Sequence, residues 1–234
     1  VAISGSYDFT LTANEIIAQA FGKLGKVSEG KSLSAKQYQD GRIALNLLVK
    51  TWQAKPHLWM KTAASVTLVA SQAEYALATL FGSKPMRVLS IRRRITTGSL
   101  DTPLQELSRQ EYEDIPNKTV ASIPVSFYYD PQRALGTLSI WPTASTATAA
   151  AQTLQVTYLR RLADFDTSSD DPDFPQEWLG ALVYGTAVWL MPEYPVNDSN
   201  LSGLVISTAQ ALYADLSGWD EEPASIYMQM DTRG

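Results

Sequence analysis

Apolar residues recur at helical spacing near the start of the chain, at Ile16, Ile17, Ala20, Phe21 and Leu24. Ahead of them Thr12-Ala-Asn-Glu15 is a capping box, in which two side chains satisfy orphan N–H groups reciprocally. Gly25 follows the last apolar position, where a left-handed residue ends a helix. A second capping box, Ser34-Ala-Lys-Gln37, opens a stripe of Tyr38, Gly41, Leu45, Leu48 and Trp52, and Pro56 closes it. The period then changes. Residues 66–70, 86–95, 125–130, 136–141 and 153–161 read as strands, rich in β-branched and aromatic residues between Pro, Gly and Ser. Asp130-Pro131 opens a turn that Gly136 closes, so the strands on either side are antiparallel neighbours. The small residues of 144–152 read as an exposed, mobile loop.

Helical spacing returns behind Pro175. Trp178, Leu182, Gly185 and Trp189 share a face, with Leu179, Val183 and Leu190 beside them; so wide an apolar surface must be enclosed. A fourth helix is expected from about Asn200 to Leu216, with Leu201, Leu204, Val205, Thr208 and Leu212 on one face and Gly218 past its end. Helices and strands that come in separate runs give an α+β fold. The expected architecture is an antiparallel bundle of about four helices with an antiparallel β domain inserted in it. Residues 1–65 form its first half, 66–165 the β domain, 166–218 the second half, and 219–234 an extended tail.

Composition changes this picture little. The 234 residues are 45% hydrophobic, enough for a core, and include no cysteine, which excludes disulfides and thiolate metal sites. The first ten residues have neither the basic region nor the apolar run of a signal peptide. The longest apolar stretch, 176–191, is shorter than the roughly 20 residues that span a bilayer, so no membrane contact is expected. Charge is more telling. Residues 1–65 carry a net +4, residues 66–164 a net +2, and residues 165–234 a net −11. Such ends attract each other, and the overall acidity argues against tight duplex binding.

Candidate chemistry is sparse. Gly25, Gly30, Lys31 and Ser32 spell a phosphate loop, G-x-x-x-x-G-K-[ST]. That loop needs a strand before it and a helix starting at its lysine, whereas here a capped helix precedes it and the next helix starts at Ser34. Arg92 and Arg94 share one face of a strand and are weak candidates for contact with DNA or a partner; alternation puts Arg93 in line with Leu89, Ile91 and Ile95. Asp166, Asp170, Asp171 and Asp173 lack calcium-loop spacing and read as charges before a helix N-terminus. His57, the one histidine, has no nucleophile-elbow sequence to serve. Phe127, Tyr128, Tyr129 and Trp141 give the alternative reading, a carbohydrate- or receptor-binding module, although alternation splits Tyr128 from its neighbours. No catalytic residue, cofactor or metal is expected. The tail carries Ile226, Tyr227, Met228 and Met230, apolar residues with no element of their own, as docking segments do.

Five phrases, in order, resemble the head-to-tail adaptors of short-tailed bacteriophages, the tail tubular protein A and packaged-DNA-stabilisation type. They are LTANEIIAQAFGKLG (11–25), LLVKTWQAKPHLW (47–59), IPVSFYYDPQRALGTLSIWPTAS (123–145), TLQVTYLRRLADF (153–165) and FPQEWLGALVYGTAVWLMPEY (174–194). The resemblance implies a structural virion protein at the head-tail junction, made in the host cytoplasm. It implies a ring of about twelve copies joining the portal protein to the tail nozzle or tube. Double-stranded DNA would pass along the channel without sequence-specific binding. On this reading Ile226, Tyr227, Met228 and Met230 are candidates for docking on the portal or a neighbour, and Trp178, Leu182 and Trp189 for the contact between subunits.

Overall fold

The computed structural model describes residues 5–27, 31–55, 57–98 and 100–220. Along the chain come α1 (Ala13–Lys23), α2 (Ala35–Gln53) and a short 3-10 turn at Leu58–Met60. Then follow β1 (Lys61–Thr67), β2 (Glu74–Ala76), α3 (Leu77–Phe81), β3 (Arg87–Ile95), β4 (Asp101–Pro103), β5 (Gln105–Glu106) and α4 (Arg109–Glu113). Next are β6 (Ala121–Ser122), β7 (Ser126–Asp130), β8 (Thr137–Trp141), β9 (Thr143–Ala144), α5 (Thr146–Ala151) and β10 (Gln152–Leu159). A second 3-10 turn, Gln176–Trp178, leads into α6 (Leu179–Leu190), and α7 (Ser199–Trp219) comes last. The class is α+β. The chain divides into two compact units, Val1–Trp59 with Leu162–Gly234, and Met60–Arg161.

In the helical unit α6 packs against α1, α2 and α7, and α1 packs against α2. Eight of the twelve residues of α6 are buried, because it is apolar on every side. Two glycines set the close approach. A Cβ on Gly41 of α2 would stand 2.3 Å from Ile17 Cγ2, and one on Gly185 of α6 would stand 2.8 Å from Leu48 Cδ2. The end of α1 is a full Schellman motif: Lys26 N–H donates to Phe21 O, Gly25 N–H to Gly22 O, and Gly25 has φ +66°. Both capping boxes form, at Thr12–Glu15 and Ser34–Gln37.

A polar stripe on α2 straps the returning chain to the helix. Arg42 Nη1 donates to Asp166 O at 2.9 Å, and Lys50 Nζ to Leu162 O at 3.2 Å. Asn46 donates to Phe165 O and accepts from Phe165 N–H, and Gln53 accepts from Leu162 N–H. These side chains lie three or four residues apart, on one helix face. The acidic segment that follows serves α1. Asp170 O accepts from Ala13 N–H at 2.9 Å and Ser168 O from Asn14 N–H at 3.2 Å, so loop carbonyls take up first-turn donors. Asp170 also accepts from the Thr167 hydroxyl and from the Thr167 and Asp166 N–H groups, and the Thr167 donations hold its carboxyl below the usual carboxylate value.

The other unit holds two four-stranded sheets, in the orders β1-β10-β3-β4 and β2-β8-β7-β5, and a β6-β9 pair. Pairing is antiparallel except for the short β5–β7 and β6–β9 contacts. The core between them includes Val66, Val88, Ile91, Phe127, Leu138, Ile140, Leu154 and Val156. Four local expectations are revised. The first strand is 61–67 rather than 66–70: the chain turns at Ser71, with φ +60°, while residues 61–65, which lack any large apolar side chain, pair fully with β10. Residues 146–151 form a helix rather than a mobile loop, because Ser145 caps it and Thr148 and Ala149 face the core. In α7, Gly218 lies within the helix, and Leu204 points out at 61% exposure. Fourth, β3 does not alternate strictly. The β10 register passes from Ser90 to Val88, so Leu89 is an extra residue and the buried positions Val88 and Ile91 are three apart.

Gly41→Ala should destabilise the helical unit. Added helix propensity favours alanine by about 1 kcal/mol. The Ile17 methyl it would strike sits on a β-branched carbon with one main helix rotamer, and overpacking costs about 1–3 kcal/mol. Urea unfolding followed by tryptophan fluorescence should show a net loss; a midpoint at or above the parent's would contradict this packing.

Candidate functional site

Six rings gather where the helical unit's two chain segments meet. Trp52 of α2, His57, Trp59, Phe174, Trp178 and Tyr213 of α7 stack and edge against each other, with centroids 5.1 Å apart for Trp52–Tyr213 and 4.8 Å for His57–Trp178. His57 is buried and lies face to face with Trp59. Its Nδ1 lies 3.0 Å from Asp220 Oδ2, which also accepts from Leu58 N–H at 2.8 Å. Burial pushes the His57 imidazole below its ordinary value, against the pull of Asp220. This clasp ties Asp220, the C-cap of α7, to the connection after α2. It is a structural use of histidine.

Beside the clasp is a cleft of about 590 Å³ lined by Trp59, Pro175, Glu177, Trp178, Asp215, Leu216, Trp219 and Asp220. A second groove, about 210 Å³, runs along α7 between Trp52, Trp189, Ile206 and Tyr213. α7 stands on α6 with a single fully buried residue, Val205. Its outer side shows Gly203, Leu204, Ser207, Ala211 and Ala214. Asp215 is the one charged residue from Ser199 to Trp219. A helix so poor in charge normally lies under other protein.

The residues singled out in the sequence fall in different places. Trp178 and Leu182, with 3% and 0% exposure, pack inside their own unit, Trp178 with an edge on the cleft, and most of the wide apolar face of α6 is covered within the chain. Trp189 keeps 41% of its surface exposed. Arg94 is held by Asp101 through two bonds of 2.7 Å, which keep the Asp101 carboxyl below its usual value. Arg92 is exposed on the same face, and Arg93 turns inward, with Nη1 3.4 Å from Pro124 O. Ile226, Tyr227, Met228 and Met230 lie outside the described residues, as does Gly30. Gly25 serves the Schellman motif, and a helix, not a strand, precedes it.

The four β-domain aromatics form no shared platform. Phe127 is in the core, and Tyr129 donates to Pro85 O at 2.8 Å, its phenol pushed up to about 12 by burial. Tyr128 stacks on Tyr112, and Trp141 donates to Asn117 O. Among the described residues no group of acids and His57 could hold a metal ion, and no helix is long and apolar enough to cross a membrane. The cleft and the clasp were missed in the sequence. The signal for them is Trp219-Asp220, a bulky ring and a carboxylate just past the expected helix end at Leu216.

Acid should loosen the clasp. The folded imidazole takes its proton at a lower pH than the unfolded one, so stability falls as pH drops through about 6.5. His57→Gln should lose less stability between pH 7.5 and 5.5 than the parent does, by thermal unfolding at both pH values. Equal losses would contradict the assignment.

A comparison with curated proteins gives no match. The family model described as SU10 adaptor protein matches residues 12–225, which take in the helices, both sheets and the cleft. Over that span the chain belongs to the SU10 adaptor protein family, a family of phage head-tail adaptors.

Proposed function

We propose that this structural phage adaptor works as a closed ring of about twelve copies. The ring joins the portal protein to the tail nozzle or tube and extends the channel through which double-stranded DNA passes. The observation that carries this reading is α7, a 21-residue helix with one charge and one buried residue. Its exposed apolar length needs a partner, and a neighbouring copy supplies one that repeats around a ring. Trp189 and Ile206, on the groove beside it, extend the same surface. The net −11 of residues 165–234 suits a wall that lets DNA slide, since phosphate is repelled rather than held. Arg92, exposed on its strand, remains the candidate for a DNA or partner contact, while Arg94 is already engaged by Asp101. Ile226, Tyr227, Met228 and Met230 remain the candidates for docking on the portal.

Negative-stain electron microscopy of the chain mixed with the portal protein of its own phage tests this. The parent should add a ring of density to the portal; a portal left bare would overturn the proposal. Leu204→Glu with Ala211→Glu should abolish the ring, while thermal stability moves by less than about 0.5 kcal/mol, as for other exposed sites. Rings from the double variant would clear α7 of any part in the contact.

A further inference from the structure

We infer that the cleft at the end of α7 receives Arg133, carried on the β7–β8 hairpin tip of a second copy of the chain. The cleft comes first. Glu177, Asp215 and Asp220 line it together with three tryptophans, and among the described residues no basic side chain does. Asp215 and Asp220 stand at the C-terminal end of α7, where a helix prefers cations because its carbonyl end is negative. The last turn carries no basic residue to offset them. His57 and Leu58 engage Asp220, but Glu177 and Asp215 make no ion pair among the described residues. Lys55 is nearby in sequence to this cluster, yet it lies over the Tyr213 ring, 5.0 Å from its centroid, and does not line the cleft. Carboxylates that break the dipole rule, beside the exposed indole of Trp219, describe a site for a cation with a planar, stackable head. That is an arginine.

The chain carries a matching finger. Pro131, Gln132, Arg133, Ala134 and Leu135 are all exposed. Lys84 Nζ pins the tip by donating to Pro131 O and Gln132 O, each at 2.5 Å. Leu77 and Ala78 N–H groups hold Gly136 O and Leu135 O. Arg133 itself makes no hydrogen bond or ion pair among the described residues. A pinned loop presenting one free guanidinium is ordered before it binds, which lowers the cost of docking. Arg92 is also exposed, but it lies mid-strand on a sheet face, and a concave cleft takes a convex tip. A finger on one copy entering a cleft on the next is a heterologous contact, the kind that propagates into rings. In this the inference rests on the self-association proposed above.

The chain has no cysteine, so a cross-link can be placed cleanly. Ala134→Cys marks the tip and leaves Arg133 in place. Gly218→Cys marks the helix end next to the lining residue Trp219, and a Cβ there meets nothing within 4 Å. The two variants of the full chain are mixed at high concentration and low salt with a short bis-maleimide. Dimer should form at least tenfold more in the mixture than in either variant alone. Adding Arg133→Glu to the first variant should remove that excess, and adding Asp215→Arg to the second should restore it. No excess in the mixture overturns the inference, as does an excess indifferent to Arg133→Glu. If Gly218→Cys becomes shielded from maleimide only when portal protein is added, the occupant is another protein and the assignment to a second copy falls. The test needs neither portal nor a closed ring. A missing ring would therefore leave this contact standing, and a missing contact would leave α7 as the ring surface.

Discussion

One helix with no polar side governs the helical unit. α6 is apolar around its whole circumference, and it folds only if other helices close around it. α1 and α2 come from one end of the chain and α7 from the other, and all three pack on α6. The unit therefore depends on bringing together segments separated by more than a hundred residues. Glycines at Gly41 and Gly185 let the backbones approach, and the α2 polar stripe holds the returning segment 162–166. Loop closure over that length adds only slowly to the entropic cost, so the inserted β unit is tolerable.

The same constraint explains what is left exposed. α7 packs on α6 as α1 and α2 do, yet buries only Val205 completely. It keeps an outer surface of glycine, alanine, serine and leucine. Six rings and the His57–Asp220 clasp anchor its far end firmly, so the exposed helix is a fixed surface. A rigid apolar face is suited to repeated docking, since little order must be gained on contact. Membership of an adaptor family and an unsatisfied helix thus lead to the same expectation, arrived at separately.

Much of this was legible in the residues. The capping boxes at Thr12 and Ser34, the stop at Gly25 and the hairpin at Asp130–Gly136 are local chemistry, and each formed as read. What was misread depended on distant partners. Residues 61–65, without a large apolar side chain, do not read as a strand until β10 is beside them. The bulge at Leu89, which shifts the arginines' register, is a property of the pair and not of either strand. The acidic run before α6 reads as charge for that helix's N-terminus; that its backbone carbonyls also cap α1 shows only once the fold brings the two together. Small-residue runs such as 146–151 look loop-like until the Ser145 cap is noticed. The candidate site was the least legible part. Tryptophans and carboxylates of the cleft come from three separate stretches, and neither Trp178 nor Leu182 declares in sequence which side of the surface it will occupy.

Hydrogen–deuterium exchange of the free chain and of the chain assembled on its portal measures the central claim, that the outer side of α7 is covered by its neighbours. The account predicts that amides of residues 203–218 gain protection on assembly while those of α6, enclosed already, change little. Exchange in α7 that is the same in both states would contradict it.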